Sequence, residues 1–259
     1  MKSSEHPPAK WLSDTAEVGD LVQLQVGGKF CFPQRDEVDN NTDGNMLFIA
    51  GGVGINPLLS MLRTRFERPI SPQSIAVCQT TLLYSVKSPE ELAFLEPLVE
   101  LATQSYGMRA SLESLSSREG RTQSTGEECR DISRFRCICC VTSQAFWGDT
   151  MDACGDADRE QATSRTLDIT RDRRSAWYRL PLFCNDTASA ALSRWCGRIG
   201  PELLRAVVEG QGYGTDHACA RLNNTRVYMC GPPPMMDSLS VDIQGLGIGP
   251  DHIQFEKWW

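Results

Sequence analysis

Residues 46–57 read MLFIAGGVGINP, and this stretch decides the fold of the chain. Its first part, Met46 to Ala50, is a continuous apolar run typical of a strand buried in a parallel sheet. The residues that follow the glycines, PLLSMLRTRF, predict a helix with Asn56 as its cap and Pro57 in its first turn. A buried strand, a glycine turn and a helix in this order indicate the start of a doubly wound α/β domain.

The alternation of strand and helix continues along the chain. Further buried strands are predicted at Thr80 to Val86, at Met108 to Leu115 and at Thr225 to Cys230. The helix after the second strand is predicted to begin at Ser88, with Glu91 in the position that completes a capping box. Strands separated by helices predict a parallel, doubly wound sheet of the α/β class.

Two stretches depart from this alternation. Leu21 to Phe32 alternates apolar and polar residues around two glycines, which predicts a hairpin from a small antiparallel barrel. About residues 117–196 are rich in Ser, Thr, Arg and Asp without a sustained period, which predicts an insertion that is partly or wholly disordered, and no elements are assigned there. The predicted domains are therefore a barrel remnant at 1–38 and a nucleotide domain at 42–259 that this insertion interrupts.

Composition excludes several classes of function. The 259 residues carry a formal net charge of −7 and no long basic run, which argues against a nucleic-acid partner. No apolar stretch approaches the roughly 18–20 residues of a membrane helix. The eleven cysteines do not supply two Cys-x-x-Cys hooks that could pair at one ion, which predicts free thiols and no metal site. Since no targeting segment is present, we expect an intracellular protein, either mitochondrial or cytoplasmic.

The glycine turn after the first strand is the first candidate site. Glycines let the backbone approach a ligand closely, and the N–H groups at a helix start can bind a diphosphate. An ordinary strand-to-helix turn is an equal alternative, because Pro57 stands where the third glycine of G-x-G-x-x-G would be. The candidate cofactor-binding residues here are Gly51, Gly52, Val53, Gly54, Ile55, Asn56 and Pro57.

The second candidate site is the turn that begins at Cys230. Gly231, Pro232 and Met235 follow it at the end of a predicted buried strand, where ligands gather in open α/β sheets. A rigid loop with a buried structural cysteine is the plainer interpretation. The third candidate site is the pair Trp258 and Trp259 at the end of the sequence. These rings suit a planar ligand such as a flavin or a nicotinamide, or they fill an apolar gap.

These motifs together resemble the ferredoxin–NADP reductase superfamily. The matching segments are HPPAKWL, VGGKFCFP, LFIAGGVGINPLL, YMCGPPPMM and IQFEKWW, in that order. The resemblance implies an antiparallel barrel that holds FAD and a nucleotide domain that delivers hydride from NAD(P)H. It places Gly54 by the pyrophosphate, Cys230 by the nicotinamide and a terminal tryptophan near the flavin. We expect Cys230 and Glu256 to lie nearest the reaction, and a protein to accept the electrons.

The resemblance also sets the expected cofactors. The family's Arg-x-Tyr/Phe-Ser flavin motif belongs before HPPAKWL and is absent from this chain, so we expect FAD not to be held tightly. The alternative function is a non-catalytic nucleotide-binding remnant. The ribose of the dinucleotide is expected beyond the second strand, where Ser85 and Lys87 suit a 2′-phosphate and Glu90 and Glu91 oppose one. An equal alternative is that the two glutamates only favour the start of the predicted helix. The balance slightly favours NADH over NADPH.

Overall fold

The computed structural model describes residues 6–23, 25, 27–32, 45–67, 79–103, 135–143, 180, 192–209 and 225–257. Its centre is one six-stranded sheet in the order β4-β3-β2-β1-β5-β6, and every pair of neighbouring strands is parallel. The strands are β1 Asn45–Gly51, β2 Thr80–Val86, β3 Phe135–Val141, β4 Leu192–Cys196, β5 Thr225–Gly231 and β6 Ile253–Lys257. The helices are α1 Pro7–Asp14, α2 Ile55–Glu67, α3 at 95–103, α4 Pro201–Glu209 and α5 Pro233–Gly245. The predicted doubly wound parallel sheet is confirmed.

Helices cover both faces of the sheet, which explains why β1 reads as an unbroken apolar run from Met46 to Ala50. On one face α2 and α3 pack over side chains such as those of Phe48 and Tyr84. On the other face α4 and α5 pack over Leu47 and Ile49. Consecutive residues of β1 therefore belong to opposite cores, and both cores need apolar side chains. Each fully buried side chain of this size contributes about 1.5–3 kcal/mol.

The region 117–196, in which no element is predicted from the sequence, contains two strands of the sheet. The strand β3 reads FRCICCV and all but one of its residues are buried, while β4 forms the edge beside it. Cysteine behaves as a small buried hydrophobe, so this run is a central strand that the polar composition of its surroundings concealed. The remaining residues of 117–196, apart from 142–143 and Leu180, lie outside the described ranges.

Three further predictions need correction. The described residues of 21–32 form no strand, and the flanking Leu21 is 99% exposed. An isolated hairpin is marginal without further strands beside it. Helix α2 begins at Ile55, one residue before Asn56, which therefore cannot be its cap. The helix expected from Ser88 is interrupted: a 3-10 turn at Pro89–Glu91 is followed by three residues outside any helix, and α3 starts only at 95.

The strand predicted at Met108 to Leu115 lies outside the described residues. Trp258 and Trp259 also lie outside them. Within the described part of the chain, no helix is long and apolar enough to cross a membrane.

Candidate nucleotide site

The two predicted loops meet at the carboxyl ends of β1 and β5. These strands are neighbours, with Ala50 paired to Cys230. The chain leaves β1 through α2 towards β2 on one side, whereas β5 lies on the other side. The order of the sheet therefore reverses between β1 and β5, which is where open α/β folds bind their ligands. The sequence indicated both loops, and the topology brings them to one crevice.

The two loops can approach this closely because glycines, which have no side chain, occupy the positions where they meet. A Cβ atom added to Gly231 would lie 3.2 Å from both the N and the Cα of Gly51. A Cβ atom added to Gly51 would lie 2.8 Å from the Cδ of Pro232 and 2.9 Å from the Sδ of Met235. The ends of β1 and β5 are thus in backbone contact, with Pro232 and Met235 packed against them.

Gly54 is fixed by a different contact. A Cβ atom there would overlap the carbonyl group of Cys230 and lie 3.1 Å from the N of Gly231. The sequence-based reason for this glycine was access of a pyrophosphate to the backbone. The structure supplies a second reason, because α2 can begin against β5 only when residue 54 has no side chain.

Gly52 differs from the other glycines of the turn. Its φ is +55°, in the left-handed region that favours glycine, and nothing lies within 4 Å of the position a Cβ would take. Gly52 begins a 3-10 turn, Gly52–Gly54, and no side chain caps the start of this turn. Asn56 donates from Nδ2 to the carbonyl oxygen of Val53 at 2.7 Å, so it braces the turn from within the helix. The open side of this turn leaves space for a ligand beside the start of α2.

The end of β2 forms one wall of the same edge. Ser85 is paired with Gly51 across the strands. The backbone N–H of Lys87 donates to Oε2 of Glu91 at 3.1 Å, which closes a short loop after the strand. The ribose-binding candidates Ser85, Lys87 and Glu91 are therefore one local unit beside the crevice. The capping-box role expected for Glu91 is not its role, since its carboxylate binds the loop that precedes it.

Sequence reasoning missed two residues of this wall. Tyr84 is 1% exposed, and its hydroxyl accepts a hydrogen bond from the N–H of Ala93 at 3.1 Å. Burial raises the pKa of Tyr84 to about 12, so the hydroxyl stays neutral. Phe94 adopts φ +58° and is 40% exposed, although a left-handed conformation costs about 1–2 kcal/mol for a residue with a side chain. Tyr84 resembled a core aromatic in the sequence, and Phe94 a residue within a helix.

The residues expected nearest the reaction differ in their surroundings. Cys230 is fully buried in the core beneath α2, whereas Glu256 is exposed on β6. The two are paired across β5 and β6 and project from the same face of the sheet. Lys257 forms an ion pair with Asp237 of α5 at 2.6 Å, and its Nζ lies 5.3 Å from the ring centre of Phe255. This exposed pair links the end of β6 to the helix that follows β5.

The segment before β1 also contacts this half of the sheet. Helix α1 buries none of its residues. Farther along, Phe30 and Phe32 lie 6.5 and 5.7 Å from the ring centre of Tyr228, which itself stacks on Phe48 at 5.3 Å. In the described residues, the segment expected to belong to a barrel therefore shows only an aromatic contact with β5. Among the described residues, no group of His, Cys, Asp or Glu side chains is arranged to hold a metal ion.

Comparisons with known proteins agree with this geometry. A family model described as an oxidoreductase NAD-binding domain matches residues 48–130. Oxidoreductase NAD-binding domain-containing protein 1 from Bos taurus is 28% identical over the whole chain, and the protein of that name from Homo sapiens is 26% identical. The chain spans 59% of the length of each of these two relatives.

A solved structure gives an independent comparison of the fold. The Amycolatopsis cytochrome P450 reductase GcoB matches with a TM-score of 0.52 and 17% identity, over 96% of this chain and 47% of that one. At this level of identity the likeness concerns the fold alone. It supports the same arrangement of strands and helices around the crevice.

Proposed function

We propose that this chain, which carries an NAD-binding domain of the ferredoxin–NADP reductase type, binds NAD(P)H between β1 and β5 for hydride transfer. The chain is homologous along its whole length to oxidoreductase NAD-binding domain-containing protein 1. One observation carries the proposal. Gly51, Gly54 and Gly231 leave no side chain where the two loops meet, at the point where the strand order reverses. A dinucleotide needs such a close approach to backbone.

The chain's residues have distinct parts in this proposal. The turn Gly51 to Gly54 and the start of α2 bind the pyrophosphate through backbone N–H groups. Pro232 and Met235, packed over Gly51, orient the nicotinamide end. Cys230 and Glu256, paired at the end of β5 and β6, lie beside the position of hydride transfer. A bound flavin would supply the redox chemistry, and the protein supplies binding and orientation.

We further propose that NADH is preferred over NADPH. Glu91 stands at the end of β2 with one carboxylate oxygen bonded to the N–H of Lys87. A carboxylate there can accept a hydrogen bond from a ribose 2′-OH and repels a 2′-phosphate. The ammonium group of Lys87 and the hydroxyl of Ser85 act in the opposite direction, so the preference is expected to be modest.

The alternative function is nucleotide binding without catalysis. It is favoured by the described residues of 6–32, which form a helix and a connecting segment and no barrel strand. A flavin site of this family requires a barrel, so we expect the chain by itself not to retain FAD. In the catalytic proposal, a protein accepts the electrons downstream of the flavin.

Binding and spectroscopy separate the two functions. Titration of the purified chain with NADH by calorimetry tests the dinucleotide site, and binding in the micromolar range supports both. The visible spectrum after gel filtration then tests the flavin. A stoichiometric flavin band together with NADH-driven ferricyanide reduction supports the reductase, whereas NADH binding without either supports the non-catalytic alternative. No binding of NADH or NADPH would overturn the proposed site.

A further inference from the structure

The hydroxyl of Tyr84 joins the sheet to the segment that follows β2. It accepts a hydrogen bond from the N–H of Ala93 at 3.1 Å, and it lies 3.5 Å from the carbonyl oxygen of Glu91. Tyr84 itself is 1% exposed and sits within the core beneath α2 and α3. A rigid strand residue therefore holds two backbone groups of a surface loop.

This loop is constrained on both sides of the tyrosine contact. Before it, the carboxylate of Glu91 accepts the N–H of Lys87, and Leu92 is fully buried. After it comes Phe94, which combines a left-handed backbone at φ +58° with a ring 40% exposed to solvent. An exposed aromatic residue in that conformation needs a neighbour that fixes its backbone, and Ala93 is the residue that Tyr84 holds.

We propose that Tyr84 is a positioning residue for the adenosine half of the dinucleotide. Its hydroxyl fixes the segment from Pro89 to Phe94, so that the carboxylate of Glu91 and the ring of Phe94 are presented together at the edge of the crevice. The inference rests on the proposed function. It adds a residue that touches no part of the ligand and acts through Glu91 and Phe94.

The location of the loop supports this role. It begins where β2 ends, and Ser85 of β2 is the register partner of Gly51 in the glycine turn. The loop is thus adjacent to the proposed pyrophosphate position, on the side away from β5. An exposed aromatic ring there can stack on a base, because such rings offer a planar apolar surface. The nicotinamide half is expected on the opposite side, near Pro232 and Met235.

A role limited to filling the core predicts a different result. The ring of Tyr84 packs among apolar side chains, and phenylalanine would fill the same volume. If packing alone mattered, Tyr84→Phe would bind ligands as the wild type does. If the hydroxyl positions the loop, the same substitution weakens only ligands that contain the adenosine half.

The test compares NADH, ADP-ribose and NMN by calorimetry in the full chain. We expect Tyr84→Phe to weaken NADH and ADP-ribose about fivefold to twentyfold, as loss of one buried hydrogen bond would, and to leave NMN unchanged. Tyr228→Phe, at a buried tyrosine on the same face of the sheet, serves as the matched control. In a cycle with Phe94→Ala, the double variant should lose no more affinity than the more affected single variant.

Hydrogen exchange of the Ala93 amide reports on the tether without any ligand. It should be protected in the wild type and in Tyr228→Phe, and should exchange at least tenfold faster in Tyr84→Phe. Equal protection, or unchanged ADP-ribose affinity in Tyr84→Phe while the wild type binds NADH, overturns this inference and leaves the proposed function standing. Equal losses for ADP-ribose and NMN also overturn it. A wild type that binds none of the three ligands overturns both.

Discussion

Gly54 and the carbonyl group of Cys230 are in such close contact that no side chain fits between them. A Cβ atom at residue 54 would lie 2.5 Å from the carbonyl carbon of Cys230. This contact joins the start of α2 to the end of β5, two elements separated by most of the chain. In the proposed site, packing and dinucleotide binding therefore both depend on the same glycine.

Gly54→Ala is expected to destabilise the chain even without ligand. The added methyl group meets backbone rather than a flexible side chain, so α2 and β5 must separate, at about 1–3 kcal/mol or more. Urea denaturation followed by circular dichroism measures the loss. Gly200→Ala is the matched control, because nothing lies within 4 Å of the Cβ position there. Equal midpoints for both variants would contradict the contact.

Glu91→Gln is expected to improve the affinity for NADPH by about threefold to tenfold relative to NADH. The amide keeps an oxygen that can accept the N–H of Lys87, so the loop is retained while the negative charge is lost. Isothermal titration with both dinucleotides measures the ratio. Glu96→Gln, at an exposed glutamate of α3, removes the same charge farther along the chain. If the relative affinity for NADPH does not increase, Glu91 only closes its loop and does not select between the dinucleotides.

The buried thiols of β3 are expected to resist alkylation in the folded protein. The hydrogen bond with Cys139 and burial raise the pKa of Cys137, and burial raises that of Cys140, so both stay neutral where an exposed thiol begins to ionise. Cys31 and Cys196 are exposed. Iodoacetamide labelling followed by peptide mass spectrometry should modify these two at least tenfold faster than β3. Rapid labelling of Cys140 without denaturant would contradict the assignment of β3 to the sheet interior.

Stability is expected to fall in alkali partly because of Tyr84. Its pKa is about 12 in the folded state against an ordinary value of 10.0, with burial as the main cause. The neutral phenol is favoured in the fold, so this contribution is complete below pH 10 and is lost as the pH rises towards 12. About 2 kcal/mol should disappear over that interval. The difference in unfolding free energy between wild type and Tyr84→Phe should shrink accordingly; a constant difference would contradict it.

The sequence predicted those elements for which several signals agree. β1 combines a fully apolar run with a glycine turn and a helix, and each of these features indicates the same fold. The sequence also identified both glycine loops, but the meeting of Gly51 with Gly231 became visible only with the strand order of the structure. In these cases local pattern and global topology agree, which is why the parallel α/β fold could be predicted from the residues alone.

The failures have physical causes too. β3 is a short apolar run within a long polar stretch, and the average composition outweighed seven residues. The loop from Ser88 to Phe94 carries helical periodicity, yet the contact of Tyr84 with Ala93 and the buried Leu92 impose another conformation. A sequence pattern that marks the start of a helix does not predict tertiary contacts of this kind. Their partners become visible only when the strand and the loop are placed together.

The order of the sheet has a consequence for how the chain is made. β1 lies between β2 and β5, and the residues from Val86 to Thr225 separate the synthesis of its first neighbour from that of its second. During translation one edge of β1 therefore stays open, and its apolar run from Met46 to Ala50 is exposed to other chains. The glycine contacts that shape the crevice form only when β5 inserts into this gap. Such distant pairing slows folding, so we expect the crevice to be the last part of the sheet to form.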